Sequence, residues 1–352
     1  MVDAVFWSQQ RVLLTGHTGF KGSWLSLWLA RLGAQIFGVS LAPNTDPNLF
    51  DLLPSDIFLA SKFVDIRNRT ALKTVVEDAN PTIVIHLAAQ ALVGRSYREP
   101  IETFETNVMG TANILELARL SPLLRAVLVV TTDKVYRNLE DGRAFCESDA
   151  LGAHDPYSAS KAAAEITTVA WAQSYFRDRG VPVVTARAGN VIGGGDWSED
   201  RLVPDIWRAV RERNEPLLRH PNATRPWQHV LEPLSGYLSY LENISAGRAN
   251  VPAALNFGPQ PDDLLTVAEL TEAMLGELGA PKRWQVGGGP KVSEMQSLAL
   301  NSALATQTIG WRPRLSSREA IEWTAQWYGR EALGKSAAEL CLDQISRYES
   351  LP

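Results

Sequence analysis

Hydrophobic positions in the first half of the chain form short continuous runs, separated by longer segments in which they recur at helical spacing. Runs this short, rich in Val, Ile and Leu, predict buried strands. The predicted strands are Val12–Leu14, Gln35–Ser40, Lys62–Asp65, Ile83–His86, Ala126–Val130 and Pro182–Arg187. Helices are predicted between them, near residues 20–32, 67–79, 101–119 and 156–178. This alternation indicates an α/β fold with a doubly wound, Rossmann-like parallel sheet that helices cover on both faces.

The regular alternation stops after residue 187. Beyond it, helices are predicted at 204–213, 231–245, 266–278 and 317–333, among loops rich in Gly, Pro, Trp and Arg. We therefore expect a Rossmann domain in residues 1–187 and a smaller, discontinuous α/β substrate lobe in most of residues 188–352. A stretch at 254–258 is expected to return to the first sheet as a further strand.

The first strand leads into a GxxGxxG motif at residues 16–22, and an apolar helix follows the motif. Strand, glycine turn and helix in this order form a cradle for pyrophosphate, because backbone N–H groups and the positive end of the helix face the anion. We therefore predict that this motif binds a dinucleotide. The residues expected to contact the dinucleotide here are Gly16, Thr18, Gly19, Phe20, Lys21 and Gly22.

The end of the second strand bears on which dinucleotide binds. An acidic residue there binds the ribose 2′-hydroxyl of NAD, whereas a basic residue accommodates the 2′-phosphate of NADP. The chain has neither, because Ser40 is followed by Leu-Ala-Pro and no Lys or Arg occurs before Lys62. The missing positive charge favours NAD. Asp65, at the end of the third strand, is either a contact on the adenine side of the site or a cap for the next helix.

The helix after the fifth strand begins with a motif that carries chemistry. Asp155 suits the N-cap of this helix and Pro156 its first position. Tyr157 and Lys161 then lie one turn apart on the same face. An ammonium group beside a phenol lowers the pKa of the phenol toward the working pH, so Tyr157 could take the proton of an alcohol while a hydride leaves the same carbon.

The fifth strand is followed by Thr132-Asp-Lys134, at the edge where a doubly wound sheet binds its ligand. The Thr132 hydroxyl is expected near Tyr157, on the same substrate oxygen. Asp133 and Lys134 are either an exposed ion pair at a strand exit or reacting groups, and their position at this edge favours the second interpretation.

Composition excludes several classes of function. The 352 residues, 45% hydrophobic and 21% charged, are typical of a globular protein of about two domains. A net charge of −5 without a basic run disfavours nucleic acid and anionic membranes as partners. Cys146 and Cys341 lack metal-ligand spacing, so no metal is expected. The first residues do not resemble a signal peptide, and we expect a soluble, cytoplasmic protein.

Together these motifs resemble those of the extended short-chain dehydrogenase/reductases, in particular the nucleotide-sugar 4,6-dehydratases. The resemblance covers nearly the whole chain and is greatest to the CDP-glucose 4,6-dehydratase family. The segments that carry it are Gly16–Trp24, Thr132–Tyr136, Gly189–Trp197 and Arg225–Val230.

The resemblance implies a lyase that converts CDP-glucose to its 4-keto-6-deoxy sugar, with NAD reduced and reoxidised in each turnover. Tyr157, with Thr132 and Lys161, would serve oxidation at C4, and Asp133 would protonate the departing C6 hydroxyl. Enzymes acting on dTDP-glucose carry Glu, the C5 base, after this Asp, whereas here the residue is Lys134. The difference supports a CDP-sugar and leaves Lys134 two roles: a neutral base at C5, or a charged group that stabilises the enolate.

Further contacts follow from the same resemblance. Asn107 is expected to tie loops together near the active site. Arg225 is the best candidate for the substrate diphosphate, because a guanidinium matches phosphate oxygens in pairs. A solvated surface role stays open for Arg201 and Arg219. The cofactor contacts implied are Asp65, Ile66, Leu87, Ala88, Ala89 and Gln90, and the substrate contacts are Asn190, Arg201, Leu202, Arg219 and Arg225.

Two other functions share parts of this pattern. A nucleotide-sugar 4-epimerase or decarboxylase would carry the glycine motif and the Tyr157/Lys161 pair, but an epimerase does not need the Asp133-Lys134 dipeptide. A non-catalytic dinucleotide sensor would not need Thr132, Tyr157 or Lys161. The helices at 101–119 and 156–178 are also expected to pair with a second subunit, in a homodimer or a dimer of dimers. The apolar residues predicted on their outward faces are Phe104, Val108, Leu115, Ala163, Val169 and Trp171.

Overall fold

The computed structural model describes residues 2–248, 250–287 and 298–352. The strands are β1 (Arg11–Thr15), β2 (Gln35–Ser40), β3 (Ala60–Phe63), β4 (Ile83–His86), β5 (Ala126–Val130), β6 (Val183–Ala188), β7 (Val191–Ile192), β8 (Leu217–Leu218), β9 (Thr224–Arg225), β10 (Gln228–His229), β11 (Ala254–Phe257), β12 (Leu265–Thr266) and β13 (Gln285–Val286). The helices are α1 (Ala4–Trp7), α2 (Phe20–Arg31), α3 (Arg69–Ala79), α4 (Val93–Arg98), α5 (Pro100–Phe104), α6 (Gly110–Ala118), α7 (Pro156–Trp171), α8 (Leu202–Glu212), α9 (Leu231–Ser245), α10 (Val267–Glu277), α11 (Ala303–Ile309), α12 (Ser317–Ala332) and α13 (Ala337–Glu349).

The centre of the fold is a parallel sheet in the order β11-β6-β5-β4-β1-β2-β3. The strands between its edges are almost entirely buried, because helices cover both faces of the sheet. The predicted doubly wound α/β fold is therefore confirmed. The predicted return of 254–258 is also confirmed, since β11 pairs in parallel with β6. Strand order reverses between β1 and β4, which is where such folds bind ligands.

Several predicted boundaries were wrong. The third strand begins and ends two residues earlier than predicted, at Ala60 and Phe63. The helix predicted at 101–119 is divided, because a π-helical turn at Glu105–Met109 separates α5 from α6. A second π turn, at Ala172–Phe176, follows α7. Leu115, predicted on an outward face, is fully buried in the core beside the sheet.

Tryptophan side chains join the sheet to the C-terminal helices. Trp24 on α2 donates a hydrogen bond to the carbonyl oxygen of Gly194 at 2.9 Å. Gly194 in turn lies against Trp327 on α12, whose ring atoms would be 2.0 Å from a Cβ at that position. Part of the glycine-rich segment Gly189–Trp197 is therefore required for packing.

The division into two lobes at residue 187 stays a prediction.

The last helix, α13, is held by a buried carboxylate on α9. Glu232 accepts hydrogen bonds from the backbone N–H groups of Arg314 and Leu315 and from the hydroxyl of Tyr348 on α13. Burial raises the pKa of Glu232 to about 7, although these hydrogen bonds oppose the rise.

In the described ranges, no helix is long and apolar enough to cross a lipid bilayer.

We predict that Glu232 makes folding less favourable as the pH rises. A pKa near 7 in the folded state exceeds the ordinary value of 4.5, so the folded protein binds this proton more tightly than the unfolded chain does. Between pH 4 and 8 the unfolding free energy of Glu232→Gln should therefore rise relative to that of the unchanged protein, by about 3 kcal/mol at most. Denaturant titrations across this range would measure the difference, and a constant difference would contradict the prediction.

Candidate active site

A large cavity of about 630 Å³ opens at the carboxyl edge of the sheet, near the reversal of strand order. The glycine motif, the ends of β4 and β5, the start of α7 and parts of the segment 188–225 contribute to its wall. With one exception among the described residues, every predicted site residue lines this cavity; the exception is Asp133. The structure thus brings together residues that are spread over more than two hundred positions of the sequence.

The glycine motif has the shape of a phosphate cradle. Gly16 has a φ of +77°, and a Cβ at this position would lie 2.7 Å from the backbone nitrogen of Ala88. A Cβ at Gly22 would lie 2.0 Å from the carbonyl oxygen of Gly16, whereas one at Gly19 would meet its nearest neighbour only at 3.5 Å. No side chain of the described residues caps α2, so its first N–H groups are available to an anion. The motif therefore fits the pyrophosphate of NAD.

The end of β2 carries hydroxyl groups instead of charged side chains. Thr18 Oγ1 lies 2.9 Å from Ser40 Oγ and donates a hydrogen bond to the carbonyl oxygen of Leu41, also at 2.9 Å. The cavity wall continues through residues 41–44, which are uncharged. This end of the cavity thus lacks, within the described chain from Ser40 to Asn44, the cation that would hold a 2′-phosphate.

Asp65 does not cap the helix that follows it. Asn68 is the N-cap of α3, and its side chain accepts a hydrogen bond from Ala71 N–H. The carboxylate of Asp65 instead binds Arg67, at 2.6 Å, and hydrogen bonds from Arg67 lower the pKa of that carboxyl group. The capping alternative was therefore wrong, and the contact of Asp65 with adenine stays a prediction.

Tyr157 and Lys161 lie on adjacent turns of α7, but their head groups have different partners. Burial raises the pKa of Tyr157 to about 12, against a hydrogen bond with Thr132 that lowers it. Lys161 Nζ donates a hydrogen bond to the carbonyl oxygen of Val130 at 3.0 Å, and burial lowers the pKa of Lys161 to about 8. The expected lowering of the Tyr157 pKa by Lys161 is therefore not seen in this structure, because the ammonium group is held at the end of β5.

Asp133 and Lys134 form an ion pair at the end of β5. Asp133 is fully buried, and its Oδ1 accepts hydrogen bonds from Thr132 at 2.9 Å and from Lys134 Nζ at 3.1 Å. Its Oδ2 has no hydrogen-bond partner among the described residues and packs against Gly189. Lys134 lines the cavity. The role of Asp133 as an acid stays a prediction.

Asn107 ties the end of β4 to the catalytic helix, as predicted. Its side-chain oxygen accepts a hydrogen bond from Gln90 N–H at 2.8 Å, and its Nδ2 donates to the Gln90 carbonyl oxygen at 3.0 Å. The same Nδ2 lies 2.9 Å from Ser160 Oγ on α7. Because Asn107 lies in the first π turn, this irregularity lies at the active site.

The predicted substrate contacts, from residues 190 to 225, form a further part of the cavity wall. Arg201 pairs with Asp196 at 2.9 Å, and Arg219 pairs with Asp200 at 2.9 Å. Arg225, on β9, is almost completely buried. These arginines line the cavity, and their contact with substrate stays a prediction.

Asn190 lies on the same wall in a strained backbone conformation, with φ of +31°. Its Oδ1 is buried without a hydrogen-bond partner among the described residues. A buried amide oxygen of this kind costs free energy unless a ligand or water satisfies it. Its binding of substrate stays a prediction.

The sequence interpretation missed the buried charges behind the site. Glu165 on α7 accepts hydrogen bonds from Thr131 on β5, from Thr185 and from Arg187 on β6, the last at 2.8 Å. Glu165 and Arg187 are both nearly inaccessible to solvent. The position of Glu165 one turn after Lys161, on the same helix face, is the signal that could have identified it.

The glycine cradle, the Tyr157/Lys161 helix and the parallel sheet define a class of protein that comparison with known families confirms. Residues 12–257 match the model of the NAD dependent epimerase/dehydratase family. The chain belongs to this family, whose cofactor is NAD.

The chain is also similar to individual dehydratases and epimerases. The CDP-glucose 4,6-dehydratase of Salmonella typhimurium strain LT2 is 39% identical over 355 aligned positions, which cover 99% of each chain. A probable dTDP-glucose 4,6-dehydratase of Sinorhizobium fredii is 34% identical over 62% of this chain and 64% of its own. Among solved structures, the dTDP-glucose 4,6-dehydratase of Streptomyces venezuelae, which holds NAD, is 26% identical, with a TM-score of 0.78 over 92% of this chain and 98% of its own. The UDP-glucose 4-epimerase of Thermotoga maritima is 22% identical, with the same TM-score of 0.78 over 92% and 99%, and shares the fold.

We predict that Gly189→Ala destabilises the protein. The added Cβ would lie 1.8 Å from Oδ2 of Asp133, a fully buried side chain whose Oδ1 is bonded to Thr132 and Lys134. Overpacking of this kind costs about 1–3 kcal/mol of unfolding free energy. Gly329→Ala is the matched control, because a Cβ at Gly329 meets nothing within 4 Å and alanine favours a helix. Denaturant unfolding that shows equal stability for the two variants would contradict the prediction.

Proposed function

We propose that the protein is an NAD-dependent lyase that converts CDP-D-glucose to CDP-4-keto-6-deoxy-D-glucose and water. The observation that carries the proposal is the group formed by Thr132, the Asp133–Lys134 ion pair, Tyr157 and Lys161 at one edge of the sheet. A relative that is 39% identical over the full length carries the name of this activity. The ion pair favours a dehydratase over a 4-epimerase, because epimerisation at C4 needs no charged groups at C5 and C6.

The residues of the site can perform the steps around hydride transfer. When bound, the cofactor would supply hydride transfer, as acceptor for the C4 hydride and, once reduced, as donor to C6, and its oxidised ring would add positive charge to the cavity. Tyr157 takes the proton of the C4 hydroxyl while Thr132 holds the same oxygen. A phenol with a pKa of about 12 is seldom ionised near neutral pH, so its activation depends on positive charge that enters with the ligands. Charged Lys134 stabilises the enolate that forms at C4 and C5.

In this proposal the diphosphate of the substrate binds the part of the cavity wall that contains Arg201 and Arg225. Arg225 offers its guanidinium there, and Arg201 adds a charge that Asp196 already orients at 2.9 Å. Asn190, with its buried unpartnered oxygen, accepts a hydrogen bond from the nucleotide or the sugar. We also propose that the protein acts in the cytoplasm, because both cysteines, Cys146 and Cys341, are free thiols.

The proposed activity predicts the outcome of a direct assay. Purified protein with NAD and CDP-glucose should form the 4-keto-6-deoxy sugar, identified by its C6 methyl signal in NMR spectra. Tyr157→Phe should lower both the reduction of NAD and product formation by at least about 100-fold, because the C4 hydroxyl then has no base.

Tyr175→Phe is the control, since this tyrosine is half exposed in the π turn that follows the same helix. Conversion of UDP-glucose to UDP-galactose, with CDP-glucose left unchanged, would instead indicate an epimerase. Full activity of Tyr157→Phe would exclude the proposed base.

We also propose that the protein forms a homodimer through α5, α7 and their π turns. Several large apolar side chains on these elements are exposed, in a contiguous part of the fold where α5 contacts α7. They are Ile101 at 72%, Phe104 at 39%, Met109 at 56%, Ile166 at 62% and Val169 at 52% exposure. Exposed apolar groups on neighbouring helices are typical of a subunit interface.

The dimer predicts a change of mass on substitution. Ile166→Glu together with Val169→Glu should convert the protein to monomers in sedimentation velocity, because the charges would be buried at the interface. Leu333→Glu, at a side chain that is 85% exposed elsewhere on the surface, should leave the mass unchanged. A monomeric mass for the unchanged protein at micromolar concentration would contradict the dimer.

A further inference from the structure

The position of Lys21 in the fold is unfavourable for a positively charged side chain. Lys21 is the second residue of α2, and a positive charge in the first turn of a helix opposes the helix dipole. Its side chain lines the cavity together with Lys134 and Lys161. Lys134 and Lys161 are bonded to Asp133 and to the Val130 carbonyl oxygen, but Lys21 has no ion pair or side-chain hydrogen bond to any described residue.

The charges around Lys21 favour its neutral form. Burial, together with the positive charges of Arg201, Lys161 and Lys134, lowers the pKa of Lys21 to about 7. The carboxylate of Asp133 opposes the change, but it is already bound to Lys134. A lysine amine without a partner, close to the catalytic side chains, is suited to accept a proton near neutral pH.

Lys134 is less suited to that task. Its Nζ lies 3.1 Å from Oδ1 of Asp133, and an ammonium group that binds a carboxylate already carries its proton. The reaction requires a base for C5 and a proton for the departing hydroxyl, so the two lysines have complementary roles available to them.

We infer that the neutral amine of Lys21 takes the C5 proton and that charged Lys134 supplies the proton with which the C6 hydroxyl leaves. This inference rests on the proposed dehydratase activity. The C5–H bond breaks, its proton moves to Lys21 Nζ, and its electron pair forms an enolate with the C4 oxygen. The C6–O bond then breaks as the C5–C6 double bond forms, and water leaves with the proton from Lys134. Lys21 returns a proton to C5 once C6 is reduced, and the proton that Tyr157 took at C4 balances the one lost in water.

Exchange of the C5 hydrogen in deuterated water tests the inference. Enzyme loaded with NAD is mixed with CDP-glucose, reduced cofactor is followed by its absorbance, and deuterium at C5 is measured by mass spectrometry of the recovered sugar nucleotide. Lys21→Met and Lys21→Arg should still reduce the cofactor but lose C5 exchange by about 100-fold or more. Lys134→Met should lose product formation while it keeps more C5 exchange than either Lys21 variant.

The possible outcomes separate the inference from the function on which it rests. If the unchanged enzyme does not reduce its cofactor with CDP-glucose, the proposed function fails. If it does, and both Lys21 variants exchange C5 at the unchanged rate, the assignment of Lys21 is wrong. Loss of NAD binding by both variants in calorimetry would overturn it as well, since Lys21 would then serve the cofactor. Restoration of exchange in Lys21→Ala by added ethylamine would support the base role.

Discussion

The geometry of the site depends on one buried carboxylate. Glu165 on α7 joins that helix to β5 through Thr131 and to β6 through Thr185 and Arg187. Because Tyr157 and Lys161 lie on the same helix, these bonds fix their distance from the end of β5. Removing one partner of such a buried ion pair costs about 3–5 kcal/mol, since the other charge is left without compensation. The reacting groups are therefore positioned by a charged contact on the far side of the helix.

Local sequence was sufficient to predict the central sheet, because its inner strands are continuous runs of apolar residues that helices bury on both faces. Runs such as Ile83–His86 and Ala126–Val130 can only be stable between two layers of helices. The C-terminal helix α13 was not predicted from the sequence, because contacts between residues far apart in the sequence hold this helix in place. Gly334 marks an end in the sequence, and the contacts that hold the next segment, such as Glu349 with Trp28 at 2.9 Å, join residues more than three hundred positions apart. The π turns were missed because they depend on tertiary contacts, such as those of Asn107.

In the site, spacing predicted neighbours but not hydrogen-bond partners. The i,i+4 relation correctly put Tyr157 and Lys161 on one face of α7, yet Lys161 binds the carbonyl oxygen of Val130. Likewise, the sequence order Asp133-Lys134 indicated two reacting groups at a strand end. The structure turns the carboxylate of Asp133 into the protein against Gly189 and leaves Lys134 in the cavity wall. Which way a side chain points at the end of a strand depends on the next loop in space, here the one after β6, and no local pattern records that.

The resemblance to the dTDP-glucose enzymes implies that Lys134 stands in place of a carboxylate, and this difference bears on the charge of the whole site. A second carboxylate beside Asp133 would leave two negative charges close to a sugar that must become an enolate, whereas the Asp133–Lys134 pair has no net charge. The wall also contains Lys21, Lys161 and several arginines, of which Arg201 and Arg219 are paired with carboxylates, although the whole chain has a net charge of −5. Such a cavity attracts ligands that carry diphosphates and stabilises negative charge on the C4 oxygen. The same cations favour the neutral form of a lysine that lacks an acidic partner. A site with the Asp133–Lys134 ion pair in place of a second carboxylate thus favours the proposed role of the Lys21 amine as the base.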